Sequence, residues 1–381
     1  MKFLSHYQRW CRPVLFSVLI GLMVFAITRR HTPEYGFTRM INMGSQVMER
    51  ALPEVQSTAI EVRSLAGYDG SQYVQLSFDP LLLKERETWS NALDVPSYRA
   101  KRILLPWMSY LLGAGHPEWM VQIYSLLNPL FWLALLFMMA RLCPGSDLRS
   151  LAIIAGVLLS TGALESTRRA LTDLPSLTLM IASVLFVQKN RTGGAIAAMT
   201  AACLSRETTL LSLPALWRGR ESIWRNATVL VLPVLLCAVW FLYVKFRFPA
   251  VTHTLSHNLG WPFVTMIERI QMAGAAGIRQ PLQLFCILAM ISFAVQAAYF
   301  LRHPQWKNPW WRMGIFFTPL YFCLAMPVWE EYYAVTRAVL PMTAAFHLLL
   351  LERKGWTFWA WWTPSNLYLW QGFNKWFFTA N

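Results

Sequence analysis

Residues 227–246 read ATVLVLPVLLCAVWFLYVKF, a nearly uninterrupted apolar run. A helix that crosses the hydrocarbon core upright needs about 20 apolar residues, so this run is long enough to span a membrane. The whole chain is similar in character, since 56% of its 381 residues are hydrophobic and only 14% are charged. A mean hydropathy of +0.37 is too high for a soluble domain of this length.

Other apolar runs recur along the chain, at about 13–28, 118–140, 150–164, 174–188, 193–204, 208–217, 281–301, 313–328 and 337–351. Several are too short to cross upright. The runs 193–204 and 208–217 are separated by three residues only and form either a short hairpin or a re-entrant element. We therefore predict an all-α polytopic membrane protein with about nine to eleven transmembrane helices.

The basic residues indicate the orientation. With the N-terminus in the cytoplasm, the inner segments are 1–12, 141–149, 189–192, 217–226, 302–312 and the residues after 351. These segments hold 16 Lys and Arg against 3 Asp and Glu, whereas the rest of the chain holds 18 against 16. Such an asymmetry follows the positive-inside rule and explains the net charge of +15 without nucleic acid as a partner.

Two regions lie outside the regular spans. Residues 29–117 form a long first outer loop in which we expect interfacial helices. Residues 1–354 are predicted to be a transmembrane catalytic domain, and 355–381 an aromatic-rich interfacial tail on the cytoplasmic side, because indole rings favour the headgroup region. The run from Val14 to Ile27 has no small-residue cleavage site after it, so it predicts an uncleaved anchor.

The compartment is predicted to be a bacterial inner membrane with the site facing the periplasm or exterior. Both glycosylation sequons, Asn190-Arg191-Thr192 and Asn226-Ala227-Thr228, fall on the inner side, which fits a bacterial protein. The six cysteines show no CxxC and no metal-ligand spacing, so neither a disulfide framework nor a zinc site is predicted.

Ionisable residues gather at the outer ends of the spans. Groups of this kind at membrane depth tend to face a protein interior or a wet cavity. Short outer turns contribute Arg168, Asp173, Arg206 and Glu207, and the first outer loop contributes further acids and arginines. We expect them to share one cavity, although solvated loop charges would give the same pattern.

Carboxylates and arginines together suit a lipid-linked phosphosugar. Guanidinium groups bind phosphate through two parallel hydrogen bonds. A carboxylate can accept the proton of an acceptor hydroxyl as that hydroxyl attacks the anomeric carbon. One carboxylate suffices for this inversion, because the phosphate leaves as a stabilised anion, whereas glycosidases need a pair.

Several short motifs resemble those of the C-type (GT-C) membrane glycosyltransferases that build bacterial cell-surface glycopolymers from polyprenyl-phosphate sugars. The motifs are Gly67-Tyr68-Asp69-Gly70, Asp79-Pro80, the segment from Tyr98 to Pro106, and the turn from Ser205 to Thr208. The resemblance covers most of the chain in architecture but only about forty residues in motif.

The resemblance implies a role for each matching residue. It implies that Asp69 is the catalytic base, with Asp79 as the second candidate. It implies that Arg99 and Arg102 meet the donor phosphate, with Arg206 and Arg337 as further candidates and Tyr68 beside them. The donor would be a polyprenyl-phosphate sugar, and the acceptor a glycan or lipid of the cell envelope.

The chain departs from the family in two ways, and other interpretations stay open. The first loop lacks the paired acids of several branches, and no large soluble domain follows the last span. Tyr68-Asp69-Gly70 is also an ordinary turn sequence. Glu330 and Glu331 could ligate a divalent cation, as could His253 and His257, but no metal site is predicted. A lipid-linked glycan transporter or flippase, or a non-catalytic subunit of a polysaccharide assembly complex, are the alternative functions.

Overall fold

A computed structural model describes residues 2–219, 222–249, 258–276 and 280–378. For residues 2–10 and 276 it describes the backbone only. The described residues are mostly helical. The α-helices are Lys2–Thr28, Ser45–Arg50, Pro53–Gln56, Asp69–Gln75, Arg86–Ala92, Pro96–Arg99, Leu104–Leu112, Pro117–Leu142, Leu148–Leu158, Thr161–Arg168, Asp173–Gln188, Thr192–Ser205, Ile223–Arg247, Val264–Ala276, Pro281–Arg302, Pro309–Ile315, Phe317–Phe322, Met326–Trp329, Tyr332–Ala338, Leu340–Leu349, Gly355–Trp362 and Leu369–Phe377. The 3-10 helices are Thr38–Ile41, Leu76–Phe78, Glu207–Leu216, Leu350–Glu352 and Pro364–Asn366.

Two short strands form a small parallel sheet in the first predicted outer loop. Met43–Gly44 pairs with Val62–Ser64, with Met43 opposite Val62 and Gly44 opposite Ser64. The loop also contains short helices, including Arg86–Ala92 and Leu104–Leu112. The segment between the first two long helices is therefore an ordered layer of short elements.

Four helices in the described part of the chain are long and apolar enough to cross a membrane: Cys11–Thr28, Pro117–Leu142, Ile223–Arg247 and Pro281–Arg302. Two further pairs pass the same test together but bend at a break, Leu148–Leu158 with Thr161–Arg168 by 43° and Tyr332–Ala338 with Leu340–Glu352 by 59°. By length and composition, the described residues thus contain four helices able to span a membrane, or up to six if each bent pair counts as one span.

The remaining apolar runs form shorter or broken helices, and proline accounts for two of the breaks. Residues 313–328 divide among short helices whose interiors or first turns contain Pro319 and Pro327. Residues 208–217 lie largely in the 3-10 helix Glu207–Leu216, which contains Pro214. Proline removes a helical hydrogen bond and clashes with the preceding turn, which favours a break at these positions, whereas helices Pro117–Leu142 and Ile223–Arg247 continue through Pro129 and Pro233.

The connections predicted to share the inner side meet at one end of the helical body. Hydrogen bonds join Arg12 to Pro144, Arg149 to Arg353, Gln305 to Glu352, Arg312 to Trp217 and Arg225 to Thr192. Pro117–Leu142 has 26 residues and is about 39 Å long, so this end is well separated from the other. The side of the membrane on which each end lies stays a prediction.

Residues 355–378 pack along the helical body. Near its middle, Gln296 donates a 3.1 Å hydrogen bond to the carbonyl of Ser365. At the far end, Arg30 donates to the carbonyl of Trp376 at 3.2 Å, and the indole of Trp376 is buried. The segment was predicted to be an interfacial tail at the cytoplasmic end. Its described residues instead extend to the opposite end of the helical body, where helix Lys2–Thr28 ends.

One continuous hydrophobic core joins the long helices. Leu135, Ile181 and Phe346 are fully buried in it, and each belongs to a different helix. The polar residues predicted to form a site lie beyond this core, at the ends of the helices and in the first outer loop.

Candidate functional site

A cavity of about 380 Å³ opens at the end of the helical body opposite Arg12, and we call it the polar cavity. Ten of its lining residues are charged, polar or aromatic, and we call them the charged wall: Tyr68, Asp69, Tyr98, Arg99, Arg102, Arg206, Glu207, Thr208, Asn258 and Arg337. The other seven are apolar, and we call them the apolar wall: Leu259, Leu320, Leu324, Pro327, Val328, Ala334 and Ala338. A ligand that is anionic at one end and apolar at the other would match both walls.

Asp69 reaches the cavity because of two glycines beside it. Gly67 has a φ of +72°, which favours glycine, and turns the chain into helix Asp69–Gln75. Gly70 lies against backbone, since a Cβ there would come within 2.3 Å of the carbonyl oxygen of Arg169. The helix therefore starts close to residue 169, with Asp69 in its first turn and its side chain 28% exposed to the cavity.

Two arginines hold the Asp69 carboxylate from either side. Arg99 donates from Nη1 to Oδ1 at 2.8 Å, and Arg337 Nη1 lies 3.5 Å from Oδ2. Arg99 is itself fixed by a two-pronged interaction with Asp94, at 2.9 and 2.6 Å. Arg337 also donates to the Tyr68 hydroxyl at 2.9 Å. Residues distant in sequence thus meet at one carboxylate.

A second ion pair forms the floor of the polar cavity. Arg102 donates from Nε and Nη2 to the two carboxylate oxygens of Glu207, at 2.9 and 2.7 Å. The same guanidinium donates to the hydroxyls of Tyr73 and Tyr98, at 2.7 and 2.5 Å. Arg102 is almost fully buried, so its orientation is fixed by four hydrogen bonds.

Asp173 joins two cavity arginines from behind the wall. Its carboxylate forms an ion pair with Arg206 and lies 3.3 Å from Nη1 of Arg337. The Asp173 side chain is only 2% exposed. The chain of contacts from Asp69 through Arg337 and Asp173 to Arg206 connects the first outer loop with three separate helical segments.

Two of the predicted site residues lie elsewhere. The carboxylate of Asp79 accepts hydrogen bonds from the backbone N–H groups of Leu83 and Lys84, at 3.0 and 2.8 Å, and faces a different cavity. Arg168 pairs with Glu165 at 3.0 Å and lines a separate basic pocket. The structure therefore removes Asp79 as a competing base at the polar cavity.

The sequence did not single out Tyr73 as a site residue, although its hydroxyl lies between Arg99 and Arg102. Its position four residues after Asp69 in helix Asp69–Gln75 places both on one helical face, and that spacing was the available signal. The apolar wall gave no such signal, because Leu and Val occur throughout the chain.

The Asp69 carboxyl group is strongly acidic. Burial alone would raise its pKa, but the positive charges of Arg99, Arg337 and Arg102 outweigh burial and hold the pKa well below its usual range. Asp69 is therefore ionised at neutral pH. While both neighbouring arginines are in place it is a weak base, because useful proton acceptors have a pKa nearer the working pH.

This low pKa predicts how the stability contributed by Asp69 depends on pH. A carboxyl group whose pKa is lower in the folded than in the unfolded protein stabilises the fold above the unfolded pKa of about 3.9. The contribution is lost as the pH falls from there through the folded value. We expect the difference in unfolding free energy between the wild type and Asp69→Asn to be constant from pH 8 to about pH 5 and to shrink only in stronger acid. Unfolding in detergent at a series of pH values measures it, and a decline already near pH 6 would contradict the ion pairs.

No group of three or more His, Cys, Asp or Glu side chains that could hold a metal ion occurs among the residues described. Glu330 and Glu331 are exposed, and His253 and His257 lie outside the described residues. Comparison of the chain with protein-family models, with curated proteins and with solved structures gives no match.

Proposed function

We propose that the protein is an inverting membrane glycosyltransferase that moves a sugar from a polyprenyl-phosphate donor to a hydroxyl of a cell-envelope glycan or lipid. The observation that carries the proposal is Asp69, a carboxylate in the lining of a cavity that also contains four arginines and a set of apolar side chains. The resemblance of several sequence motifs of the chain to those of the GT-C glycosyltransferases supports the same proposal.

The charged wall suits the donor phosphate. Arg99, Arg102, Arg206 and Arg337 all line the polar cavity. Guanidinium groups form charge-assisted hydrogen bonds to phosphate oxygens and stabilise the charge that develops as the phosphate leaves. The apolar wall would accept the first isoprene units of the lipid, since these gain free energy by leaving water.

Asp69 would accept the proton in this reaction. The acceptor oxygen forms a bond to the anomeric carbon from the face opposite the phosphate, the bond from that carbon to the phosphate oxygen breaks, and the hydroxyl proton passes to Asp69. A donor phosphate that engages Arg99 or Arg337 competes with Asp69 for their positive charge. Its binding would thereby raise the pKa of Asp69 toward the range that favours proton transfer.

The test is a transfer assay on the purified full-length protein in liposomes. Polyprenyl-phosphate sugars with different radiolabelled hexoses and pentoses are offered with extracted envelope lipids and glycans as acceptors. We expect label to move from one donor into an acceptor fraction with inversion at the anomeric carbon. Failure of every donor to transfer label, with intact protein of the correct orientation, would contradict the proposal.

One observation favours a lipid-linked glycan transporter as the second candidate. Each of the four cavity arginines already has a carboxylate partner, among them Asp173 for Arg206 and Glu207 for Arg102. A ligand would have to break such pairs, and exchange of ion-pair partners is also a means of switching between two conformations. Movement of labelled lipid across the liposome bilayer without any transfer of sugar would favour this function.

A further inference from the structure

A second, smaller cavity of about 190 Å³ lies near the end of the first helix, and we call it the arginine pocket. Its lining consists of Arg30, Arg39, Asn42, Arg63, Ser64, Arg168 and Arg169. It is connected to the polar cavity by a contact between Arg169 of its own lining and Tyr68 of the polar cavity. The guanidinium of Arg169 stacks 3.8 Å from the ring centre of Tyr68, while the Tyr68 hydroxyl accepts from Arg337 on the other side.

The arginine pocket carries an excess of positive charge. In the described part of the chain, ion pairs link its arginines to two carboxylates. Glu61 lies 3.8 Å from Arg39 and 3.3 Å from Arg63, and Glu165 lies 3.0 and 3.1 Å from Arg168 and Arg169. Five guanidinium groups thus line one small cavity, and four of them pair with these two carboxylates.

One guanidinium nitrogen beside this excess charge forms no hydrogen bond. Nη1 of Arg169 is buried and has no hydrogen-bond partner among the described residues, and the Arg169 side chain is only 11% exposed. Arg30 is 8% exposed and stacks on Trp376 at 3.8 Å. Burial, with the charges of Arg168 and Arg39, lowers the pKa of Arg30 to about 9. Confined like charges and an unused buried donor are unfavourable unless an anion completes the cluster.

We propose that the arginine pocket is an anion-binding site that takes a phosphate or pyrophosphate group, separately from the polar cavity. Forked guanidinium groups match the oxygens of these anions, and the pocket lacks the apolar wall that a lipid tail would need. The group can belong to a lipid headgroup, because the pocket lies where helix Lys2–Thr28 ends, or to a small soluble phosphate.

Inorganic pyrophosphate is the first probe. The midpoint of thermal unfolding of the full-length protein in detergent is followed as pyrophosphate is added at constant ionic strength. Binding to the folded state raises the midpoint by mass action, so we expect a saturating rise. Replacing both Arg39→Gln and Arg63→Gln is expected to weaken the apparent affinity about 10-fold or more. Arg50→Gln, an exposed arginine of the same loop, is the matched control and should leave the affinity unchanged.

Glu61→Gln is expected to change the affinity for pyrophosphate in the opposite direction. A folding defect would not tighten binding, so this variant separates binding from folding. Removing this carboxylate releases Arg63 and takes one negative charge away from Arg39, so we expect tighter pyrophosphate binding by about 10-fold. Arginines that serve only to stabilise the loop would give a less stable Glu61→Gln protein with no gain in affinity, and that result would overturn the proposal. A stabilisation equal to that by sulfate or chloride in all variants would also overturn it.

A second arm separates the two sources of the phosphate group. The protein is placed in nanodiscs of phosphatidylcholine with or without phosphatidic acid. Stabilisation by phosphatidic acid that depends on Arg39 and Arg63 identifies a lipid headgroup, and stabilisation by pyrophosphate alone identifies a soluble ligand. Neither readout involves sugar transfer, so the proposal stands or falls separately from the glycosyltransferase function.

Discussion

Asp69→Asn is expected to lower the rate of sugar transfer by about 10²–10⁴-fold without weakening donor binding. An amide has nearly the shape of a carboxylate and can still accept a hydrogen bond from Arg99, but it cannot take a proton from the acceptor hydroxyl. The loss should therefore appear in kcat, because the general base acts in the transition state and not on the bound donor. Single-turnover transfer with a saturating labelled donor measures it directly.

The matched control for this substitution is Glu87→Gln. Glu87 is an exposed acid of the same loop, in the first turn of helix Arg86–Ala92, and the change again turns a carboxylate into an amide. We expect its transfer rate to equal that of the wild type. Transfer by Asp69→Asn at the wild-type rate, in protein with an unchanged unfolding midpoint, would refute Asp69 as the base and leave the polar cavity as a binding site only.

Asp173→Ala is expected to destabilise the protein by about 3–5 kcal/mol. The carboxylate is nearly inaccessible and is shared by Arg206 and Arg337, so its removal leaves two buried guanidinium groups short of a counter-charge. Breaking a buried ion pair from one side is far more costly than losing a solvated one. Denaturant or thermal unfolding in one detergent measures the difference.

Glu118→Ala supplies the control for Asp173→Ala. Both acids lie in the first turn of a long helix, where the helix dipole favours negative charge, but Glu118 is exposed. We expect a loss of about 0.3–1 kcal/mol for Glu118→Ala. Equal losses in the two variants would show that Asp173 acts only through the helix end, and that the ion pairs with the two arginines contribute little.

The helical membrane character follows from the sequence because burial of apolar surface is a property of whole runs of residues. The length of helix Ile223–Arg247 and its apolar composition agree with the run at 227–246. The grouping of the predicted inner connections at one end agrees with the alternation of the apolar runs and with the count of Lys and Arg. The number of spans cannot be counted from composition, because bends at residues 159–160 and 339 interrupt runs that are continuous in composition.

The gathering of Asp69, Arg99, Arg102, Arg206, Glu207 and Arg337 at one cavity agrees with the residues predicted for the site. Charged groups near membrane depth require partners, and the sequence shows which segments can supply them. The partners themselves depend on tertiary contacts. Asp79 differs from Asp69 in its surroundings, since the backbone N–H groups of residues 83 and 84 donate one hydrogen bond to each of its oxygens.

Sequence patterns could not predict the arginine pocket either, because tertiary contacts bring its residues together. Its members come from the end of the first helix, the small sheet and the bend near residue 169, and no spacing links them. Arg168 was predicted as a site residue from its position in a short turn, but Arg30, which lines the same pocket, is more than 130 residues away in sequence, and Trp376, on which Arg30 stacks, is more than 200 residues away.

Because residues 355–378 run along the helical body, Arg12 and Phe377 lie at opposite ends of it. Arg12 contacts the carbonyl of Pro144 at one end of the body, whereas the carbonyl of Phe377 accepts a hydrogen bond from Arg29 at the other, next to Arg30 of the arginine pocket. A reporter peptide joined after Phe378 is expected to emerge in the compartment that the polar cavity faces. Its accessibility to an antibody or to a protease in intact cells would therefore show which side of the membrane the polar cavity faces.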